Sequence, residues 1–191
     1  EKSKTAFAGS KLLQPDLLII GAGSAAFSGA IAASELGARV LMVGEGPIGG
    51  TCVNVGCVPS KALIRAVQAA YQARRASRFR GLEAEARIRD WQAVVEQKDA
   101  LVKQLRRVKY ENLLSEYPSI SYIQGQAKFT GRGTEVQVDA TRYRPNRVLI
   151  ATGALPKVPS IPGVGKVQLL DSRRALELKK LPASLLVIGG G

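Results

Sequence analysis

Asp16-Leu17-Leu18-Ile19-Ile20-Gly21-Ala22-Gly23-Ser24-Ala25-Ala26 is the stretch that decides the fold. Leu17 to Ile20 form an unbroken apolar run, the pattern of a strand buried on both faces of a parallel sheet. A Gly-x-Gly-x-x-Ala turn follows at Gly21, Gly23 and Ala26, and small residues then continue as a helix ending near Gly37. Gly21 permits a tight turn, Gly23 lets a pyrophosphate approach the backbone, and Ala26 allows close helix–strand packing. Phosphates held there meet the helix N-terminus, whose N–H groups and partial positive charge favour anions. Arg39 to Val43 reads as the second strand and completes a β–α–β unit. The expectation is an α/β fold: a Rossmann-like dinucleotide-binding domain built on a parallel sheet.

An acid that grips ribose hydroxyls belongs at the end of the second strand, ~20 residues beyond the glycine turn. Here Val43 is followed by Gly44 and then Glu45, which makes Glu45 the candidate ribose ligand, alongside its reading as a solvent-facing loop carboxylate. Side chains of a strand alternate between faces, so the loop must adjust for Glu45 to serve.

The loop from Gly44 to Gly50 leads into Thr51-Cys52-Val53-Asn54-Val55-Gly56-Cys57-Val58-Pro59-Ser60-Lys61, which holds both cysteines of the chain. A disulfide closing so short a loop adds little stability, so the pairing points to chemistry that opens and closes. A regular helix would hold residues five apart on different faces. Gly56 and an irregular first turn can bring them together, and a helix N-terminus favours the thiolate. A purely metal-binding reading prefers a Cys-x-x-Cys spacing with further ligands, and the chain has no histidine.

Helix is expected from Thr51 to about Ser77, and again from about Asp90 to Ser115, where Val94, Val95, Leu101, Val102, Leu105, Val108, Leu113 and Leu114 make a helical stripe. Beyond Pro118 the texture turns to short strands at Ile120–Ile123, Ala127–Thr130, Glu135–Val138 and Arg147–Ala151, with Gly131-Arg132-Gly133 as a hairpin turn. Pro156, Pro159 and Pro162 mark an extended connector, and a short helix at about Ser172–Leu178 precedes a strand at Leu185–Ile188. Gly189-Gly190-Gly191 then repeats the strand-then-glycine pattern of Gly21. The expected organisation is a tail over residues 1–15, a first nucleotide-binding segment over 16–155, a connector over 156–183, and the start of a second nucleotide-binding domain over 184–191.

The 191 residues carry 28 Lys and Arg against 15 Asp and Glu, a net charge of +13. That balance suits a polyanionic partner, but no aromatic-rich strip accompanies the basic residues, so a solvated basic face is expected and nucleic acid is not. No apolar run reaches the length of a membrane span. Two cysteines without a secretory signal fit a reducing cytoplasm.

Gly-Gly-Thr-Cys-x-Asn-x-Gly-Cys-x-Pro at Gly49–Pro59, downstream of Gly-x-Gly-x-x-Ala and followed by Ala151-Thr152-Gly153, resembles the flavin-dependent disulfide reductases. The resemblance covers residues 16–191. Within the family it is greatest to the mercuric reductases, through Val108-Lys109-Tyr110-Glu111, Gly125-Gln126-Ala127-Lys128-Phe129 and Pro159-Ser160-Ile161-Pro162-Gly163. Ser60 before Lys61 disfavours the glutathione-reductase branch.

The resemblance implies FAD along Gly21, Gly23, Ala26, Glu45, Gly46, Gly50 and Thr51, with Ala127 near the adenine and Thr152 and Gly153 completing the site. Lys61 would lie close to the flavin, Cys57 would face it, and Cys52 would be the outer, exchanging thiol. Electrons would pass from NADPH through FAD to the Cys52–Cys57 pair, and the thiolates would bind Hg(II) for reduction to Hg(0). A cytoplasmic homodimer is implied for the full-length protein. These residues stop before an NADPH domain, so the chain by itself is expected not to turn over. The alternatives are a dihydrolipoamide dehydrogenase-like reductase, a thiol-only Hg(II) binder, and a basic redox-sensitive nucleic-acid-binding module.

Overall fold

A computed structural model describes residues 14–131 and 133–189. In chain order its elements are β1 (Leu17–Ile20), α1 (Ser24–Glu35), β2 (Val40–Gly44), α2 (Gly50–Val55), α3 (Cys57–Arg74), α4 (Trp91–Arg106), α5 (Leu113–Glu116), β3 (Ile120–Gln124), β4 (Ala127–Phe129), β5 (Val136–Val138), β6 (Thr141–Tyr143), β7 (Arg147–Ile150) and α6 (Ser172–Leu176). They divide into two units. The first runs to Asn54 and resumes over Lys103–Leu155, and the second comprises Val55–Val102 and the described residues from Pro156 onward.

The first unit is built on a parallel sheet of order β3-β2-β1-β7. Leu17 stands opposite Val40 on one side and Arg147 on the other. β1 and β2 take the middle because they are apolar on both faces: Leu18, Ile19, Leu41, Met42 and Val43 are all essentially fully buried. Each such side chain contributes about 1.5–3 kcal/mol when removed from water. On one face, Ile19, Val40, Met42 and Ile120 pack against Ala26, Phe27 and Ala30 of α1. On the other, Leu18, Leu41 and Val43 meet Val136, Val138 and Tyr143 of an antiparallel β4-β5-β6 meander. At the start of β1, the Arg39 guanidinium donates to both carboxylate oxygens of Asp16, each at 3.0 Å, and ties that strand to β2. The same guanidinium holds the Asp16 carboxyl below its ordinary range.

The strands expected after Pro118 therefore serve two different sheets. β3 and β7 extend the parallel sheet, while β4 and β5 pair antiparallel, Phe129 opposite Val136. Gly131 and Gly133 of the expected hairpin turn have φ of +82° and +57°, and Arg132 lies outside the described residues. β6 was not legible, because Thr141-Arg142-Tyr143 offers a single buried side chain, Tyr143, and two exposed polar ones.

In the second unit, Pro59 and Leu63 of α3, and Val95, Lys98 and Val102 of α4, are buried. The Trp91 indole donates to the Leu178 carbonyl at 2.7 Å. Asp171 caps α6, its carboxylate accepting from the backbone N–H groups of Arg173 and Arg174.

Three expectations are corrected. The helix from Thr51 is two helices, parted at Gly56, whose φ of −133° and ψ of −113° lie outside the helical region. Pro59 explains the break: it has no N–H to give the Val55 carbonyl and its ring crowds that carbonyl, whereas the first turn of a new helix accommodates it. The second long helix changes register after Arg106, where Arg107–Glu111 form a π-helical turn closed by Asn112 N–H donating to the Arg107 carbonyl at 2.9 Å. Leu185–Ile188 forms no strand, and its side chains are exposed. A strand exists only by hydrogen bonding to a neighbour, and among the described residues none pairs with this segment. The expected tail at residues 1–15 lies outside the described residues except Gln14 and Pro15, and the Gly190-Gly191 end of the second glycine motif lies outside them too.

Candidate functional site

Two glycine turns meet at the C-terminal end of β1. Gly21 N–H donates to the Val43 carbonyl at 2.7 Å, and its φ of +135° is open to glycine alone. A Cβ there would lie 2.1 Å from the carbonyl oxygen of Ala151, the residue just before Thr152-Gly153. The second turn docks on the first: Gly49 N–H donates to the Ala22 carbonyl at 2.7 Å, and Gly23 and Gly49 form an isolated parallel bridge. Gly50 has φ of +64°, and a Cβ on it would come within 2.6 Å of Gly23 Cα. The result is a stretch of glycine backbone at the beginning of α1, with no Cβ at Gly21, Gly23, Gly49 or Gly50. That helix is capped by Gly23 with no side-chain hydrogen bond, and its first turn has no acid. Its leading N–H groups and the positive end of its dipole are therefore offered to an anion.

α2 starts from this double turn and carries Thr51 and Cys52, both exposed. Asn54 anchors it. Its side-chain amide donates to the carbonyls of Ile48 and Gly50, each at 2.9 Å, and its oxygen accepts from Arg106 at 3.1 Å. Cys57 is exposed as the first residue of α3, one helical turn before Lys61, also exposed. The Ser60 hydroxyl donates back to the Cys57 carbonyl at 3.2 Å.

The other expected cofactor residues are spread around the turns. Ala26 is fully buried on the face of α1 that packs against the sheet, so its small size serves packing. Glu45 and Gly46 are exposed in the loop after β2, Ala127 is half-buried at the start of β4, and Thr152 and Gly153 are exposed after β7. Gly44 is buried: a Cβ would meet Ala22 Cβ at 2.7 Å and the Tyr122 hydroxyl at 3.1 Å. That hydroxyl donates to the Gly44 carbonyl at 3.4 Å, and burial raises its pKa above the ordinary tyrosine value.

Sequence reasoning missed Asn54, Arg106, Tyr110 and Tyr122 as residues that shape this site. Asn54 had a signal: asparagine disfavours helix interiors unless its side chain has backbone partners. Arg106, Tyr110 and Tyr122 come from distant segments and carry no local one.

Among the described residues, no helix is long and apolar enough to cross a membrane, and no three or more His, Cys, Asp or Glu gather as a metal cluster.

Comparison with known proteins fits this geometry. The pyridine nucleotide-disulphide oxidoreductase family matches residues 15–191. A mercuric reductase of Lysinibacillus sphaericus is 48% identical over 176 residues, 92% of this chain and 32% of that protein. One from Staphylococcus aureus is 49% identical, again over 92% of this chain and 32% of its own length. One from Streptomyces lividans is 45% identical over 185 residues, 92% of this chain and 38% of that protein. The chain thus spans about a third of the length of these curated relatives. Among solved structures, the HOCl-induced flavoprotein disulfide reductase RclA from Escherichia coli superposes with a TM-score of 0.71 at 30% identity, covering 87% of this chain and 35% of that one. Its Cu(II) complex gives 0.70 at 30% identity, covering 87% of this chain and 34% of that one. With the family matched over residues 15–191 and the fold superposing on a flavoprotein disulfide reductase, the chain belongs to the pyridine nucleotide-disulphide oxidoreductase family.

Proposed function

We propose that this chain is the FAD-binding, thiol-bearing part of a mercuric reductase, an NADPH-dependent oxidoreductase that converts Hg(II) to Hg(0). The observation that carries the reading is the doubled glycine turn, from which the helix bearing Cys52 directly begins. A cofactor pyrophosphate fits that turn, because Gly21, Gly23 and Gly50 are places where a side chain is excluded or would fill the approach. Ala26, Glu45, Gly46, Thr51, Lys61, Ala127, Thr152 and Gly153 would hold the rest of FAD. When bound, FAD supplies a two-electron couple matched to a disulfide.

The chain's own residues do the remainder. Cys52 and Cys57, reduced to thiolates, are soft donors for Hg(II), which enters as substrate. Cys57 is the flavin-facing thiol and Cys52 the exchanging one. In this reading the two sulfurs hold the metal as substrate, and it leaves once reduced to Hg(0). The overall reaction balances as NADPH and Hg(II) giving NADP+, H+ and Hg(0), two electrons passing from hydride to metal. Residues 16–155 form the first segment of the FAD domain, 156–183 a connector, and 184–191 the opening of the NADPH domain. By this reading NADPH and the homodimer contact belong to a full-length protein, this chain spanning about a third of the relatives' length, and the 191 residues alone are expected not to turn over. The setting is the cytoplasm.

The test is a pair of titrations of the 191-residue chain. FAD should bind and develop the yellow flavin absorption. After reduction of the thiols, Hg(II) should saturate at one ion per chain, and Cys52→Ala should weaken it by at least about a hundredfold, the loss of one of two charged ligands. Equal affinity in Cys52→Ala would exclude a two-thiol site, and steady Hg(II)-dependent NADPH oxidation by this chain would exclude its incompetence alone. The Cu(II) complex of RclA favours a second reading, a disulfide reductase that binds Cu(II), which predicts saturable Cu(II) binding by the oxidised, disulfide form of the chain.

A further inference from the structure

The end of α4 and the π-helical turn after it, distant in sequence from both glycine turns, grip residues 48–50 from one side. Arg106, the last residue of α4, donates to the Asn54 side-chain oxygen at 3.1 Å, while the Asn54 amide holds the carbonyls of Ile48 and Gly50. Arg106 is itself held by Glu111, at the far end of the turn, at 3.3 Å. Tyr110, inside the turn, stands edge-on to Phe27 of α1, with centroids 4.9 Å apart and planes at 79°. Its ring also closes over Gly49, where a Cβ would come within 3.0 Å of it. Its hydroxyl lies 3.3 Å from Ser24 Oγ, at the first residue of α1. A π-turn inserts one extra residue into a helix, costs regular hydrogen bonding, and recurs at functional sites. Here it is what lets Arg106 and Tyr110 address the two glycine turns together.

We propose that Tyr110, with Arg106, is the positioning residue of the nucleotide turn: it locks the Gly49–Gly50 turn against Gly23 and Ser24, so that the anion-facing backbone is preorganised before a ligand arrives. The proposal rests on the cofactor reading above for its ligand, but the lock itself belongs to the ligand-free chain. The two arms divide the work. The Tyr110 ring and the Arg106–Asn54 link hold the second turn, and the Tyr110 hydroxyl steadies the first residue of α1.

The experiment compares the full 191-residue chain with Tyr110→Phe, Tyr110→Ala and Arg106→Gln by amide hydrogen exchange without ligand and by FAD titration. Tyr110→Ala and Arg106→Gln should speed exchange at residues 48–54 by about tenfold or more while Val40–Gly44 stays protected, since local opening is independent of global unfolding. Tyr110→Phe, which keeps the ring, should loosen only residues 24–27 and should weaken FAD by about threefold to tenfold, one hydrogen bond's worth. In combination with Ser24→Ala it should weaken FAD no further than either change alone. Unchanged exchange at residues 48–54 in both Tyr110→Ala and Arg106→Gln, or faster exchange spread evenly over the sheet, would overturn the proposal. So would additive effects of Tyr110→Phe and Ser24→Ala. The exchange arm needs no cofactor, so it decides the positioning role even if the parent chain fails to take up FAD, a result that would count against the cofactor reading alone.

Discussion

Gly23→Ala separates two requirements that coincide in the parent chain, the fit of the protein to itself and its fit to a pyrophosphate. Gly23 has φ of −95° and ψ of −173°, extended backbone that any residue adopts. A methyl placed there would meet only Gly50 Cα, at 3.5 Å, an ordinary contact. The folded chain should therefore lose only the difference between glycine and alanine at a helix N-cap, about 0.5–1 kcal/mol. The ligand faces a different situation. The methyl would cover the backbone from which the leading N–H groups of α1 reach an anion, and a hydrogen bond to a charged group is worth about 1.5–3 kcal/mol. Loss of one such bond weakens FAD by about 10–150-fold. A urea unfolding curve measures the first quantity, and quenching of flavin fluorescence on titration measures the second. A Gly23→Ala chain that folds normally and binds FAD within about twofold of the parent would refute the assignment of this turn to the pyrophosphate.

Gly21→Ala should behave oppositely, failing in the protein before any ligand is added: a Cβ 2.1 Å from the Ala151 oxygen at φ of +135° adds backbone strain to overpacking, about 2–6 kcal/mol in all, read as a drop in the urea midpoint. Glu135 is buried beneath Arg144 and Thr130, each donating to it at 2.9 Å, and the Arg144 bond leads in pulling its carboxyl below the ordinary value. Because the folded value is the lower one, its contribution is complete above about pH 4.3 and fades as pH falls through the folded value, so Glu135→Gln should flatten the acid limb of stability against pH. Glu45→Gln should weaken FAD about tenfold if this carboxylate grips the ribose, and equal affinity in the same quenching titration would remove it from the site.

What could be read from the sequence was whatever depends on neighbours in the chain. The apolar run Leu17–Ile20, the glycines after it and the small residues of α1 each demand one local geometry, and together they define the β–α–β unit without distant information. Pro59 also announced the break at Gly56, since a proline four residues past Val55 cannot continue that helix, and the expectation of continuous helix undervalued it. The π-turn is another matter. Nothing in Arg107-Val108-Lys109-Tyr110-Glu111 forbids an α-helix, and the extra residue is stabilised by Phe27 and Gly49, some sixty to eighty positions earlier. β6 and the division of the later strands between two sheets were hidden for the same reason. A short strand's partner is chosen by burial across the whole unit, as when Tyr143 is drawn under Leu18, Leu41 and Val43.

Gly44 shows how sequence and structure together change the meaning of a departure from pattern. Read along the chain, an acid was expected there, a glycine is present, and Glu45 stands one residue late. In the fold, the position is closed to any side chain by Ala22 on one side and the Tyr122 hydroxyl on the other. Glycine at 44 and tyrosine at 122 are thus two halves of one arrangement: β3 presents Tyr122 across the register from Met42, and its hydroxyl reaches the Gly44 carbonyl. Restoring an acid at 44 would force a methylene into that contact at a cost of about 1–3 kcal/mol, without recovering the space a carboxylate needs. The segment Gly44–Gly50 contains a single carboxylate, Glu45, and its exposure leaves it able to reach a ligand from the loop where the strand position cannot. Of the acids on β2 and the loop after it, Glu45 is therefore the one whose removal tests whether a carboxylate grips a ribose here.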